Sequence, residues 1–448
     1  MDQPTMDLTG YLNNYNTLLD HLNGNNDGRR IAVRDQAFSF FKENGFPSTK
    51  QESWRFTDVS PIAAKKFIHS LEPDENLVRE SEINTYLYPD WDGIQLVFID
   101  GQFSHRFSAI PKNLDQKIKI TNLRSLPKTQ QKLLTEILEK SSAKNDNAFT
   151  ALNTAFFSDG IWIELADNVG SELSVHLVHI ASGRQENIAY FPRNVINIGK
   201  NSSINLTETF QSPGNSLYFC NIVTDINIAE NAKMDHIKIQ AESLSAFHVS
   251  HTYINQEKQS AYKSCVFSSG SALARNSINA IVYGEACETE LDGLYLGHGS
   301  QLIDNNTHID HAKPHCHSRE IYRGILADKS RGVFSGKIMV HPDAQKTDAK
   351  QSNNCLLLSE EAKINSKPQL EIYADDVKCT HGATVGQLDE EALFYLRSRG
   401  IARNTARNIL IYAFAEEIIE NIADDKTKNS IENLILNRLN KDMNFNKE

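Results

Sequence analysis

The stretch Asn194–Thr207, NVINIGKNSSINLT, sets the texture of the chain's middle. Apolar and polar residues alternate through NVINI, the small polar cluster GKNS interrupts them, and alternation resumes in SINLT. A period of two over a short run marks a half-buried strand, and small polar clusters mark turns. The same text extends in both directions, through IWIEL (161–165), DINIA (225–229), HIKIQ (236–240), SINAIV (277–282) and GLYLG (293–297). Helical spacing is missing from about Gly160 to Gly386, which predicts a long all-β region.

A slower repeat overlies this alternation. Ile196, Ile226, Ile254, Val282, Ile309, Ile338 and Ile364 recur at intervals of 26 to 30 residues. If each interval is one coil, these aliphatics stack as one inward ladder of a β-helix, capped by a different element at each end. The alternative is a β-sandwich whose turns fall at irregular spacing.

The flanks read differently. Leu8–Leu22 and Ile31–Phe41 have helical spacing, the second ending at the C-cap signal Asn44-Gly45. Ile94–Ser104, IQLVFIDGQFS, reads as a hairpin turning at Asp100-Gly101. Leu126–Ser142 is helical again and Ser141–Asn147 is a polar connection. Beyond the β region, Asp389–Arg397, Ala402–Ile422 and Asn429–Leu439 read as three helices. Their apolar faces need cover, either by packing on the coil end or by docking a partner. The predicted fold is therefore mainly β: a helical or mixed region over 1–150, a β-helix core over 151–387 and a helical domain over 388–448.

Composition narrows the function classes. The 448 residues carry 46 Lys plus Arg against 57 Asp plus Glu, a formal charge of -11. So acidic a chain is poorly suited to sequence-independent nucleic-acid binding, which needs basic residues to displace counterions. The longest nearly apolar run, Ile409–Ala415, is too short to span a bilayer. The start, MDQPTMDLTGY, has acid where a secretory signal has base, so export is not expected and the expected location is cytoplasmic. Six cysteines without a CxxC pair read as reduced thiols, mostly small core residues.

Two constellations have metal-binding residue types. The densest is His308-Ile-Asp310-His311-Ala-Lys-Pro-His315-Cys316-His317. On a strand Cys316 points away from His315 and His317, so stacked rows of surface side chains are the ordinary reading. The second is Cys379-Thr380-His381-Gly382, where Cys379 and His381 share one strand face, with Asp375 and Asp376 upstream as possible imidazole partners. GVFSGKI (332–338) looks like a phosphate loop but has three residues between glycines, and Ile338 stands where Ser or Thr would reach magnesium. GHGS (297–300) lacks the third glycine and the helix of a dinucleotide site. With no nucleophile elbow, zinc-protease helix or flavin motif either, the motifs identify no enzyme and no ATP site.

Longer stretches carry a resemblance. Lys367–Ile401, KPQLEIYADDVKCTHGATVGQLDEEALFYLRSRGI, closely resembles the SufB/SufD family of the SUF iron-sulfur cluster assembly machinery. Ser318–Ser359, Phe149–Gly160 (FTALNTAFFSDG) and Glu43–Asp58 (ENGFPSTKQESWRFTD) are similar to other segments of that family. The resemblance implies a right-handed parallel β-helix between helical ends. It also implies a cytosolic complex of one SufB, one SufD and two copies of the ABC-type ATPase SufC. In that complex the terminal helices dock SufC, the two β-helices pair, and a transient cluster is built at their junction. SufB carries an essential cysteine in the segment matching Ser359–Gln369 and a glutamate at the position of Gly382. This chain has neither, which fits the SufD branch. The resemblance assigns His381 as a ligand offered to the nascent cluster and Cys379 as an accessory, and it implies a scaffold rather than an enzyme. Two rivals are a β-helix polysaccharide lyase or hydrolase, and a homodimeric family member that binds SufC without SufB.

Overall fold

From Ile161 to Gly386 the chain winds into a two-sheet β-solenoid, in the computed structural model that describes residues 9–22, 28–72, 75, 78–88, 91–143, 147–170, 173–185 and 187–442. Residues 1–8, on which the expectation about export rests, and residues 144–146 of the polar connection lie outside the described set. Each coil adds one strand to each sheet. The first sheet runs from Ile161–Leu165 to Lys363–Ile372 and the second from Leu173–Ile180 to Lys378–Gly386. Neighbouring coil strands pair in parallel throughout, which a Greek-key sandwich does not do.

Inward aliphatic residues stack into a column. Ile196, Ile226, Ile254, Ile309 and Ile338 do form one register row, completed by Ala280 and by Leu370 on the last coil. Val282 and Ile364 do not belong to it. Val282 pairs with Gln256 and His311, and Ile364 with Gly332. Each strand turns several residues inward, so an interval count alone cannot choose among aliphatics two positions apart. Against this row pack Val175, Leu206, Met234 and Leu291 of the second sheet. Each such side chain, fully buried, contributes about 1.5–3 kcal/mol.

The coil corners have their own chemistry. Asn168, Asn201, Asn231, Gln259, Ala286, His315 and Lys346 all have φ between 54° and 64° and each donates its backbone N–H to the corner of the following coil. Asparagine tolerates this left-handed conformation best among residues with a Cβ. The asparagines also bond to each other, Asn201 Nδ2 to Asn168 Oδ1 at 2.8 Å and Asn231 Nδ2 to Asn201 Oδ1 at 3.2 Å.

The two ends of the solenoid differ. At the amino-terminal end Ile94–Ile99 pairs in parallel with Leu173–Ile180 and turns through Asp100 (φ 49°) and Gly101 (φ 80°) into the antiparallel Gln102–Ala109. Ile118–Asn122 closes the first sheet, antiparallel to Ile161–Leu165. At the other end Lys363–Ile372 and Lys378–Gly386 are the last strands of their sheets, each paired on one edge only among the described residues.

Helices cover the flanks. Thr9–Leu22, Gly28–Asn44 and Ala148–Phe156 bring Tyr11, Phe38, Phe41, Phe149 and Phe156 onto Phe191, Phe219 and Phe247, on the outward side of the first sheet. Ala148–Phe156 has no counterpart among the helices predicted from spacing. Its residues from Phe149 to Phe156 are all buried, polar Thr150, Asn153 and Thr154 included, so this nine-residue helix has no charged, solvent-facing side to betray it. At the carboxyl end Glu390–Ser398, Arg403–Ile419 and Asp425–Asp442 follow the three predicted helices, with Asp389 capping the first through Glu391 N and Ala392 N. Ile411, Ala415, Ile418 and Ile435 pack on Phe267, Leu294, Ile325 and Leu356 of the second sheet's outer face. The helices thus cover a flank, not the coil end that the spacing suggested. The end stays open.

Candidate functional site at the open end of the solenoid

In the last strand, Lys378–Gly386, residues Cys379, His381, Ala383 and Val385 are register partners of Ala349, Gln351, Asn353 and Cys355. All four partners are buried in the solenoid interior. Cys379 and His381 therefore share the inward-facing side, as their spacing predicts. His381 is nonetheless exposed and Cys379 half-buried, because among the described residues no further coil is stacked on them.

His381 ends a polar row. Its partner is Gln351, whose own partner is Glu320, at sequence steps of 30 and 31 residues, one coil each. Gln351 Nε2 donates to Glu320 Oε2. Burial pushes the Glu320 carboxyl up to about 7, against the opposing pull of that hydrogen bond. Glu320 Oε1 and Gln351 Oε1 are buried without hydrogen-bond partners. A neutral or half-ionised acid, an amide and an imidazole thus line up from the interior to the opening. Glu320 and Gln351 escaped the motif reading because neither stands near His381 in sequence; the coil period was the signal that could have linked them.

Burial also pushes the Cys379 thiol up, so it is protonated at neutral pH and must lose a proton before it can bind a metal. The upstream carboxylates do not orient the imidazole as the sequence suggested. Asp376 pairs instead with Lys346, and its backbone N–H donates to Gln345 Oε1 at 2.9 Å. The segment Ser359–Gln369 forms the corner and first part of the other terminal strand, Lys363–Ile372. The opening is therefore rimmed by His381 on one side and by this cysteine-free segment on the other.

The His308–His317 run does not converge on one point. Asp310 meets His341 at 2.7 Å, His311 Nε2 is 2.9 Å from Ser318 Oγ, and Cys316 donates to Gly284 O at 3.3 Å. His315 is a coil corner. Gly332–Ile338 lies within the strand Arg331–Val340, where Gly336 makes room for the Gln351 side chain.

Comparison with known proteins finds sequence similarity along nearly the whole chain. The family model for the SUF system FeS cluster assembly SufBD core domain matches residues 179–414, and that for the SufBD protein N-terminal region matches residues 7–177. An iron-sulfur cluster assembly SufBD family protein of Synechocystis sp. is 32% identical over 409 residues, covering 90% of this chain and 89% of the relative. The iron-sulfur cluster assembly protein SufD of Escherichia coli is 30% identical over 404 residues, covering 90% and 92%. SufD of Bacillus subtilis is 24% identical over 332 residues, covering 72% and 74%. The chain belongs to the SufBD family of iron-sulfur cluster assembly proteins.

Proposed function

We propose that this chain is the SufD-type half of a two-solenoid scaffold, without turnover of its own, and that the open end is where its paralogue SufB joins it. The observation that carries this reading is the uncovered last coil. An uncovered strand edge is a template for another chain; Lys363–Ile372 carries Lys367, Pro368 and Glu371, which blunt an edge, whereas Lys378–Gly386 carries no Pro and a charge only at Lys378. Here residues of the interior column, His381 among them, are exposed only because the stack stops. A second solenoid placed edge to edge would continue both sheets and enclose the row.

On this reading iron and sulfide are substrates gathered at the closed junction. His381 offers an imidazole, Cys379 an accessory thiol, and the thiolate missing from Ser359–Gln369 comes from the partner. Imidazole replaces thiolate on iron in some clusters and raises the potential relative to all-cysteine ligation. Mixed, incomplete ligation suits a cluster that must leave.

SufC is proposed to dock on the carboxy-terminal helices. Phe394 and Tyr395, on Glu390–Ser398, are 71% and 57% exposed. The next helix packs on Ile325 and Leu356, and its Glu417 pairs with Arg323, all on the sheet whose last strand carries His381. ATP-driven approach of two SufC subunits would need to favour one arrangement of the paired solenoids by a few kcal/mol to open and close the junction. Six free cysteines, five of them buried, fit a reducing compartment such as the cytoplasm.

The test is complementation of a strain lacking the subunit. His381→Ala is expected to leave the assembled complex intact by native mass spectrometry but to fail in restoring iron-sulfur enzyme activity. Restoration at the wild-type level refutes the ligand role.

A further inference from the structure

Amide side chains stacked along this solenoid bond in one direction. On the outward side of the first sheet, Asn227 Nδ2 donates to Asn197 Oδ1 at 2.8 Å and Asn255 Nδ2 to Asn227 Oδ1 at 2.9 Å, each to its register partner in the preceding coil. The corner asparagines Asn168, Asn201 and Asn231 follow the same rule. Each amide gives its N–H to the coil before and leaves its oxygen for the coil after. Interior Gln351 obeys it too. Its Nε2 donates to Glu320 Oε2, one coil back, which leaves Oε1 for the coil that follows, where the register partner is His381.

The amide is fixed in this orientation. Glu320 Oε2 accepts, so the nitrogen is the atom that faces it. Both side chains are buried, and a Cβ at Gly336 would overlap the amide, which fills room that only glycine leaves. Gln351 Oε1 is buried without a donor, the one end of the amide still unmatched. A donor on the last strand can reach one coil back. Thr384 Oγ1 donates to Asn354 Oδ1, its register partner, at 2.7 Å on the same pair of strands. His381 is exposed, has no hydrogen-bond partner among the described residues, and is free to turn a ring N–H onto Oε1.

We propose that Gln351 is the positioning residue of His381: its Oε1 accepts one imidazole N–H, which sets the tautomer and leaves the lone pair of the other ring nitrogen for iron at the opening. The inference rests on the reading of His381 as a cluster ligand. An imidazole that ligates a metal is held through its second nitrogen by a carbonyl or a carboxylate, and that bond decides which nitrogen is left for the metal. A neutral amide oxygen raises the basicity of the ring less than a carboxylate would, which suits a cluster that must leave. Asp376, drawn off by Lys346, does not supply this contact.

The test reads the tautomer without any cluster. The full chain, carrying isotope-labelled histidine, is followed by proton–nitrogen correlation NMR well above the ordinary histidine value of ~6.5, where the ring is neutral. The His381 signals are those lost in His381→Ala. One tautomer is expected to dominate in the wild type, and Gln351→Leu should return the ring to a mixture like that of the exposed His317. Gln351→Glu keeps an acceptor oxygen and should keep the single tautomer. Should Gln351→Leu fail to fold, Glu320→Leu combined with Gln351→Leu removes both polar partners and carries the same expectation. In the complex reconstituted with SufB and SufC, Gln351→Leu should hold its cluster against a chelator ~10–100-fold less well than wild type, and Gln351→Glu should not. A tautomer mixture in the wild type, or one tautomer unchanged in Gln351→Leu, overturns the inference. A tautomer that responds, in a protein whose His381→Ala complex keeps its cluster, overturns the ligand reading instead and leaves the contact between Gln351 and His381 standing.

Discussion

His381 occupies the register position next to Gln351, the last covered member of an inward row, and is exposed only because no coil follows. This one relationship joins the fold to the proposed chemistry. An imidazole that would be a core residue in any earlier coil becomes a surface group at the end of the stack, backed by a buried amide and a buried acid.

The acid gives a pH signature. Glu320 is fully buried and its carboxyl is raised from 4.5 to about 7. Between those values the native state keeps a proton that the unfolded chain releases. Stability conferred below the unfolded value is therefore lost as pH rises through the window, by up to about 3 kcal/mol. Urea midpoints measured from about pH 5 to about pH 8 should fall more steeply for wild type than for Glu320→Gln, which has no proton to lose. Parallel pH profiles would remove Glu320 as the cause.

Interior volume is shared between consecutive coils. Gly324 is the register partner of Tyr295, and a Cβ at Gly324 would overlap the Tyr295 ring. That ring cannot swing away, because its hydroxyl bonds Asn353 Oδ1 at 3.1 Å and lies 3.0 Å from Cys355 Sγ. Gly324→Ala is expected to cost about 1–3 kcal/mol, the usual cost of overpacking. Adding Tyr295→Leu should return part of it. Chemical denaturation of the two variants checks the coupling, and a neutral Gly324→Ala would contradict it.

The open edge should be sensitive to charge. Val385, 55% exposed, ends the row above Cys355. Val385→Lys should leave the circular dichroism and melting of the isolated chain within about 0.5 kcal/mol of wild type, as surface changes usually do. It should also break association with SufB when the two are co-purified. If the chain alone proves to be a dimer that Val385→Lys splits, a second copy occupies the edge and the homodimeric arrangement replaces the paired one.

The helical appendix separates two roles by exposure. Phe394→Ala with Tyr395→Ala should weaken SufC binding at least tenfold, measured by calorimetry, with little loss of stability. Ile418→Ala, in the face buried on the second sheet, should instead cost about 2–5 kcal/mol as a cavity. Undiminished SufC binding in the double variant would move the dock elsewhere.

The sequence made the solenoid legible because coils are quasi-one-dimensional: alternation gives the strands, and a near-constant interval gives the stack. Five of the seven proposed ladder residues fall in one row. Val282 and Ile364 miss it because a period of two cannot rank inward positions along one strand. The helix Ala148–Phe156 stayed hidden for another reason: it is nine residues long and buried all round, its polar Thr150, Asn153 and Thr154 included. Within the site, Cys379 and His381 share a side as their spacing required, whereas Asp376 is drawn off by Lys346, one coil away in space but distant in sequence. Glu320 and Gln351 depend on register between coils, which no local motif encodes.

The most direct test of a shared cluster site at the open end is anaerobic reconstitution of the complex co-expressed with SufB and SufC. Iron and sulfide are supplied and visible absorption is followed for wild type and His381→Ala. The wild-type complex should develop the sulfide-to-iron absorption of a bound cluster, and the variant, equally assembled, should lose most of it. Equal absorption from both complexes, with equal cluster transfer to an acceptor apoprotein, would contradict the account.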